Sequence, residues 1–248
     1  SNFKHIAQQR LIIEELAAHQ LSLLRIKARR KTQESSIFSI HDNLPSQLMK
    51  SLDFKLTSAQ LRCIGEINQD MSSSQPMLRL LQGDVGSGKT IVAVFTLLQA
   101  AGNNFQTAIM APTEILAQQH LQSFTSYLGH LGIKVAFLSG SQNTEERRIQ
   151  INLIASGEAQ VVIGTHALFQ ESVSFNNLGL VIIDEQHKFG VHQRLSLTQK
   201  AKKIPHQLVM TATPIPRSLT MSVYADLDTS IIDELPPGRQ KIETIALS

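Results

Sequence analysis

Two stretches of this 248-residue chain carry side chains whose types and order could do chemistry. The first is "QGDVGSGKT", residues 82–90. Gly83, four intervening residues, Gly88, Lys89 and Thr90 follow an apolar run and precede "IVAVFTLLQ". Strand, glycine loop and helix in that order build a phosphate cradle. The glycines Gly83, Gly86 and Gly88 let the backbone turn tightly, so that N–H groups of the loop, which includes Asp84, Val85 and Ser87, point inward at phosphate oxygens. The start of the helix adds its positive dipole end. Lys89 supplies a cation for the β- and γ-phosphates, and Thr90 a hydroxyl for Mg²⁺. The competing reading is a glycine loop that is merely flexible.

The second stretch is "VIIDEQHKFGV", residues 181–191. An apolar run from Leu180 to Ile183 leads directly into Asp184 and Glu185. Two carboxylates at the end of a buried strand are costly unless something uses their charge. In proteins with a phosphate loop a second strand ends in an Asp that holds Mg²⁺. Asp184 suits that role, and Glu185 beside it suits orienting or deprotonating an attacking water. Alone, the pair could instead cap the next helix. A third stretch, "MTATPIPR" at 210–217, puts Thr211 and Thr213 at another strand end, on the side where open α/β sheets bind ligands. Its Pro-x-Pro keeps the chain extended. An ordinary strand-to-helix loop is the simpler alternative there.

The elements that must position these residues follow from hydrophobic period. Apolar runs at 77–82, 106–111, 133–138, 160–164, 179–183 and 206–211 read as strands, with helical patterns of roughly 10–15 residues between most of them. That rhythm predicts a mostly parallel sheet with crossover helices on both faces. A helix near 216–225 and a strand near 229–233 follow, and then the rigid turn "LPPGR". Upstream, apolar residues at helical spacing without Pro or Gly predict one long helix over 4–31. Asn43-Leu44-Pro45 opens a short helix to about Leu52. Thr57 is placed to cap another that runs to about Met71.

Composition narrows the class. No apolar run approaches the ~20 residues that span a bilayer, and nothing at the start resembles a signal peptide. The single cysteine, Cys63, forms no internal disulfide, which suits a reducing cytosol. On a helix, Cys63 reads as a small core residue. Ser1-Asn2 in place of an initiator Met suggests a piece cut from a longer chain. The net charge of +3 is uneven. Residues 1–31 hold seven Lys/Arg against two Glu, and the remainder holds 16 basic against 18 acidic residues. The basic cluster Arg25, Lys27, Arg29, Arg30 and Lys31 reads equally as a nucleic-acid contact or as a solvated helix end favoured by the dipole.

In order along the chain, "GDVGSGKT", "APTEILAQQH", "GTHAL", "DEQH" and "TATPIPR" resemble motifs I, Ia, Ib, II and III of superfamily 2 helicases. Within that superfamily "DEQHKFGV", together with "LDFKLTSAQ" and "DELPPGR", resembles the RecG family of bacterial DNA helicases. The resemblance covers roughly residues 3–245. It implies an α/β fold of the RecA-like phosphate-loop type behind a long N-terminal linker helix. The implied divisions are a helical linker at 1–50, the first RecA-like helicase domain at 51–239, and at 240–248 the start of a connection to a second such domain. ATP and Mg²⁺ are the implied cofactors, with Lys89, Asp184 and Glu185 catalytic and Thr90 and Asp184 on the metal.

Further roles also come from the resemblance. Gln60 matches the residue that reads adenine, since a carboxamide can pair with both N6 and N7. Phe54 reads better as a core aromatic than as a neighbour of the adenine ring. Pro112, Thr113 and Glu114, and Gly164, Thr165 and His166, match positions that touch the DNA backbone. Helix N-termini can do this through backbone N–H groups, so no basic patch is needed. His187, Thr211 and Thr213 match positions that couple nucleotide state to DNA grip. The implied partners are branched DNA and two further parts of the same chain, a fork-splitting wedge and the second RecA-like domain with its arginine finger. The implied location is the cytoplasm, with no membrane. Rival readings are the motor of a coupling-factor-type translocase on double-stranded DNA, a small-molecule kinase, and a non-catalytic nucleotide-gated binding module. A kinase would need a lid and an acceptor site, and the chain offers no such pattern.

Overall fold

The computed structural model describes residues 10, 12–15, 17–18, 21, 33–184, 200–213 and 227–234. Seven strands form one sheet: β1 (Leu78–Gly83), β2 (Gln106–Met110), β3 (Val135–Leu138), β4 (Val161–Gly164), β5 (Leu178–Asp184), β6 (His206–Thr211) and β7 (Asp228–Ile232). Their order is β3-β4-β2-β5-β6-β1-β7. Every pairing is parallel. All seven C-terminal strand ends therefore lie along one edge. The expected strands agree with the observed ones to within about two residues.

Five α-helices have both ends among the described residues: α1 (Asn43–Ser51), α2 (Ser58–Met71), α3 (Lys89–Gly102), α4 (Glu114–Leu128) and α5 (Thr144–Ser156). Alternation along the strands divides the core in two. Leu81, Ile109, Ile163, Ile182, Leu208 and Met210 face the layer that contains α1 to α4. Ala108, Met110, Val162, Val181 and Ile183 face the layer that contains α5. Helix α3 is buried almost along its length, from Ile91 to Ala101. A helix that is apolar all round belongs inside a protein, and this one fixes the end of the glycine loop rigidly.

The start of α2 forms as expected. Thr57 accepts from Gln60 N–H, and the Gln60 side chain accepts from Thr57 N–H, a reciprocal capping box. Cys63 is fully buried, and burial pushes its thiol up to about 11. It is a core residue, as its position on a helix suggests. Arg79 on β1 ties α2 and β7 to the sheet. It donates to Asp70 at 2.7 Å, Glu66 at 3.2 Å and the Ser230 hydroxyl at 2.9 Å. The segment before α1 is anchored through His206, whose Nδ1 accepts from Met77 N–H at 3.0 Å while Nε2 donates to the Ser36 carbonyl at 2.7 Å.

Of the long helix expected at 4–31, the described residues are helical, with Ile13 and Leu21 exposed. The basic cluster at 25–31, the helix expected near 216–225, the "LPPGR" turn and residues 240–248 lie outside the described residues. So do Glu185 and His187.

Candidate nucleotide site

The phosphate loop forms where β1 ends. Gly86 and Gly88 have φ of 79° and 90°, a region that residues with a Cβ rarely adopt. Gly88 also makes room for Gln60: a Cβ there would lie 2.2 Å from Gln60 Nε2. Ser87 N–H closes the turn onto the Asp84 carbonyl at 3.0 Å. Lys89 Nζ donates to the carbonyl oxygens of Gly83 at 2.6 Å and Asp84 at 3.0 Å, so its ammonium is held against the loop. Ser87 is 1% exposed, and its hydroxyl oxygen has no hydrogen-bond partner. A buried polar atom without a partner is rare and needs a reason. Here the oxygen is packed under the loop against Gly83, where a Cβ would lie 2.4 Å from it.

Gln60 is 2% exposed. Its Oε1 accepts from Thr57 N–H and its Nε2 donates to the Ser87 carbonyl, each at 2.9 Å. The carboxamide thus braces the loop and keeps one further N–H and one further lone pair for another partner. It borders a cavity of about 690 Å³ whose other walls are Asp53, Phe54, Lys55, Gly88, Thr90, Ile91 and Tyr127. That volume lies within the usual range for a small-molecule or cofactor site. Phe54 corrects the sequence reading. It is 42% exposed and lines this cavity, so it is not a core aromatic. The chain turns at 53–55 between α1 and α2, and a side chain on such a turn has no core to enter.

Asp184 closes β5, opposite Met210 of β6, while Gln82 next to the loop lies opposite Thr211 of β6. One strand therefore separates Asp184 from the phosphate loop, with Thr211 on the strand between. Thr211 is 4% exposed, and its hydroxyl is 2.8 Å from that of Thr213. A partner unforeseen from sequence holds Asp184: His120 on α4, with Nε2 2.8 Å from Oδ2. His120, Phe124 and Tyr127 recur at i, i+4 and i+7. That spacing marks one face of α4 and was the available signal for both His120 and Tyr127.

The positions matched to DNA contact sit at the ends of β2 and β4, and most are used internally. The Thr113 hydroxyl accepts from Leu116 N–H and caps α4. The Glu114 carboxylate accepts from the Ser141 hydroxyl. Gly164 lies so close to the Leu138 carbonyl oxygen that a Cβ would be 2.4 Å from it. Thr165 N–H donates to the same oxygen at 3.3 Å. Thr113 and His166 are exposed, and Pro112 and Glu114 are half-buried.

A phosphate loop at a strand end, an acidic residue two strands away and a parallel sheet of this order define a RecA-like motor fold. Residues 57–222, more than half of the chain, match the DEAD/DEAH box helicase family, and the chain belongs to that family. Among its members the chain is similar to ATP-dependent DNA helicase RecG of Escherichia coli (strain K12), 53% identical over 247 residues. The same protein of Haemophilus influenzae is 53% identical over 250 residues, and that of Aquifex aeolicus 48% over 245. These matches take in 98–99% of this chain but 31–36% of the relatives, so the chain spans about a third of their length. A structure of RecG bound to a three-way DNA junction superposes with a TM-score of 0.84 at 44% identity, over 98% of this chain and 33% of that one. The DUF1998 helicase MrfA, at 19% identity and a TM-score of 0.58, shares the fold alone.

Proposed function

We propose that this chain is the first motor domain of a RecG-like ATP-dependent DNA helicase. The whole enzyme would couple ATP hydrolysis to the remodelling of branched DNA, such as stalled forks and Holliday junctions, in recombination and repair. The observation that carries this reading is the meeting of the phosphate loop, Asp184 and a cavity of nucleotide size at one sheet edge, in a chain similar to RecG along nearly all its length. Residues 51–239 are proposed as the motor and 1–50 as a linker from a wedge domain, the last part of which packs into the motor's own core through Phe38 and Leu48. Residues 240–248 begin the connection to a second RecA-like domain.

The adenine would enter the cavity between Phe54 and Tyr127, with the remaining N–H and lone pair of Gln60 available to its edge. Loop N–H groups would receive the phosphates. Lys89 would exchange its carbonyl partners for phosphate oxygens. Thr90 and Asp184 are hard oxygen donors of the kind that hold Mg²⁺ together with phosphates and waters. A bound Mg²⁺ would neutralise charge developing on the transferred phosphoryl group. Glu185, next in the chain, would position the attacking water. Thr211, Thr213 and His187 would relay nucleotide state toward the strand ends where Pro112–Glu114 and Gly164–His166 meet the DNA backbone.

The test is ATPase activity of the full-length protein on forked, Holliday-junction and linear DNA. Strong stimulation by branched DNA is expected. An equal response to linear duplex would favour a double-stranded DNA translocase. E185Q should abolish DNA-stimulated hydrolysis. Survival of that activity would mean that Glu185 is not the catalytic residue, whereas no DNA-stimulated hydrolysis even in the unaltered protein would point to a non-catalytic nucleotide-gated module. The 248-residue chain alone should bind nucleotide but unwind nothing, since an arginine finger from elsewhere contributes roughly 10³–10⁵ in rate.

A further inference from the structure

His120 has no role in the scheme above, yet it is among the most constrained side chains near the site. It sits two turns into α4, 12% exposed, with Nε2 2.8 Å from Asp184 Oδ2. Asp184 is itself only 14% exposed. The ring is held from a second side by Phe124, which is fully buried, edge to face at 5.9 Å and 69°. A carboxylate can only accept, so the ring carries its proton on Nε2. The bond uses one carboxylate oxygen and leaves Oδ1 for another partner.

We propose that His120 is a positioning residue for Asp184. Its Nε2–H fixes the rotation of the carboxylate so that the other oxygen is presented to the cation. The inference rests on the reading of Asp184 as a metal ligand. The physical reason is general. A lone Asp at a strand end rotates about two side-chain bonds, and a cation held by one protein carboxylate needs that group set beforehand. Groups outside the immediate ligands commonly do this by hydrogen bonding, and losing one typically costs 10–100-fold in metal affinity. The Phe124 contact and the burial of both partners make the bond a fixed one rather than a surface encounter.

The test uses the full-length protein, Mn²⁺ as a paramagnetic stand-in for Mg²⁺, and a non-hydrolysable ATP analogue. Electron paramagnetic resonance reads Mn²⁺ affinity in the ternary complex, and a fluorescent analogue reads metal-free nucleotide affinity in EDTA. H120A should weaken Mn²⁺ binding by roughly 10–100-fold and leave metal-free nucleotide affinity within about twofold. H120Q, whose amide N–H can reach where Nε2–H reaches, should restore most of the loss. Mn²⁺ affinity unchanged in H120A, or lost equally in H120A and H120Q, overturns the proposal. So does a parallel loss of nucleotide affinity in EDTA, which would mark a packing role. D184N separates the two claims: if it leaves Mn²⁺ affinity intact, Asp184 is not a ligand, and the underlying reading fails rather than the positioning role.

Discussion

The loop after β1 and the loops after β2 and β4 leave the same edge of one sheet, yet they use their residues in opposite ways. After β1, residue types serve what the loop can bind: glycines at positive φ and a lysine drawn over the turn. After β2 and β4, residue types are accounted for by folding. Thr113 caps its own helix, Glu114 takes a serine hydroxyl, and Gly164 avoids a carbonyl oxygen. The exposed Thr113 and His166 are the side chains at these two loops that remain open to a nucleic-acid backbone. A shared motif letter therefore does not imply a shared kind of role.

The largest expected effect breaks the β1 side. K89A in the full-length protein should lower DNA-stimulated ATPase by roughly 10²–10³, the usual cost of deleting one preorganised charge-stabilising donor. Retention of more than a tenth of the rate would remove Lys89 from the phosphate site. Next comes a pair of glycine substitutions. G88A faces a φ of 90° and an encounter with Gln60 Nε2, so it should cost on the order of 1–3 kcal/mol in stability and most of the nucleotide affinity. G164A should also lower the melting temperature, because a Cβ there meets backbone, but nucleotide affinity should not change. If G164A weakens nucleotide binding as much as G88A, the contrast between the loops is false.

A smaller effect sharpens the other side. T113A should cost about 1 kcal/mol through the lost helix cap, with T113S near wild type in thermal unfolding. A loss of DNA affinity in T113S would show that Thr113 is more than a cap. The smallest effect lies away from both regions. Burial holds the His206 imidazole below its ordinary value of 6.5, against the raising influences of the Ser36 carbonyl and Asp70. The folded state then prefers the neutral ring, and the unfolded chain binds the proton first. Stability from this site should be complete above about pH 6.5 and decline as pH falls below it. H206Q should flatten that part of the stability–pH curve, measured by urea unfolding.

Much of the architecture was legible because it is written in short-range pattern. Short continuous apolar runs such as "TAIM" and "VVIG" read as strands buried on both faces between helices, and Thr57 with Gln60 carried its own capping signature. The phosphate loop was legible because its backbone geometry demands glycine at fixed intervals. Phe54 was misread because hydrophobicity alone does not separate a core aromatic from one lining a cavity. His120 was missed because its partner belongs to another strand, and a helical face shows only that a residue points inward, not what it meets. Gln60 carried a second role, bracing Ser87, that also depends on a long-range approach.

The chain's own order of residues determined its elements, its glycine loop and the identity of the acids, since each depends on neighbours a few positions away. Tertiary structure decided which strand ends became neighbours. Placing β6 between β1 and β5 brings Thr211 between the loop and Asp184, and laying α4 over the sheet brings His120 to that aspartate and Tyr127 to the cavity. Parallel crossovers permit several strand orders with the same local periodicity. The order is selected by how the faces of α3 and α4 pack against the sheet, a property of the assembled core rather than of any segment within it.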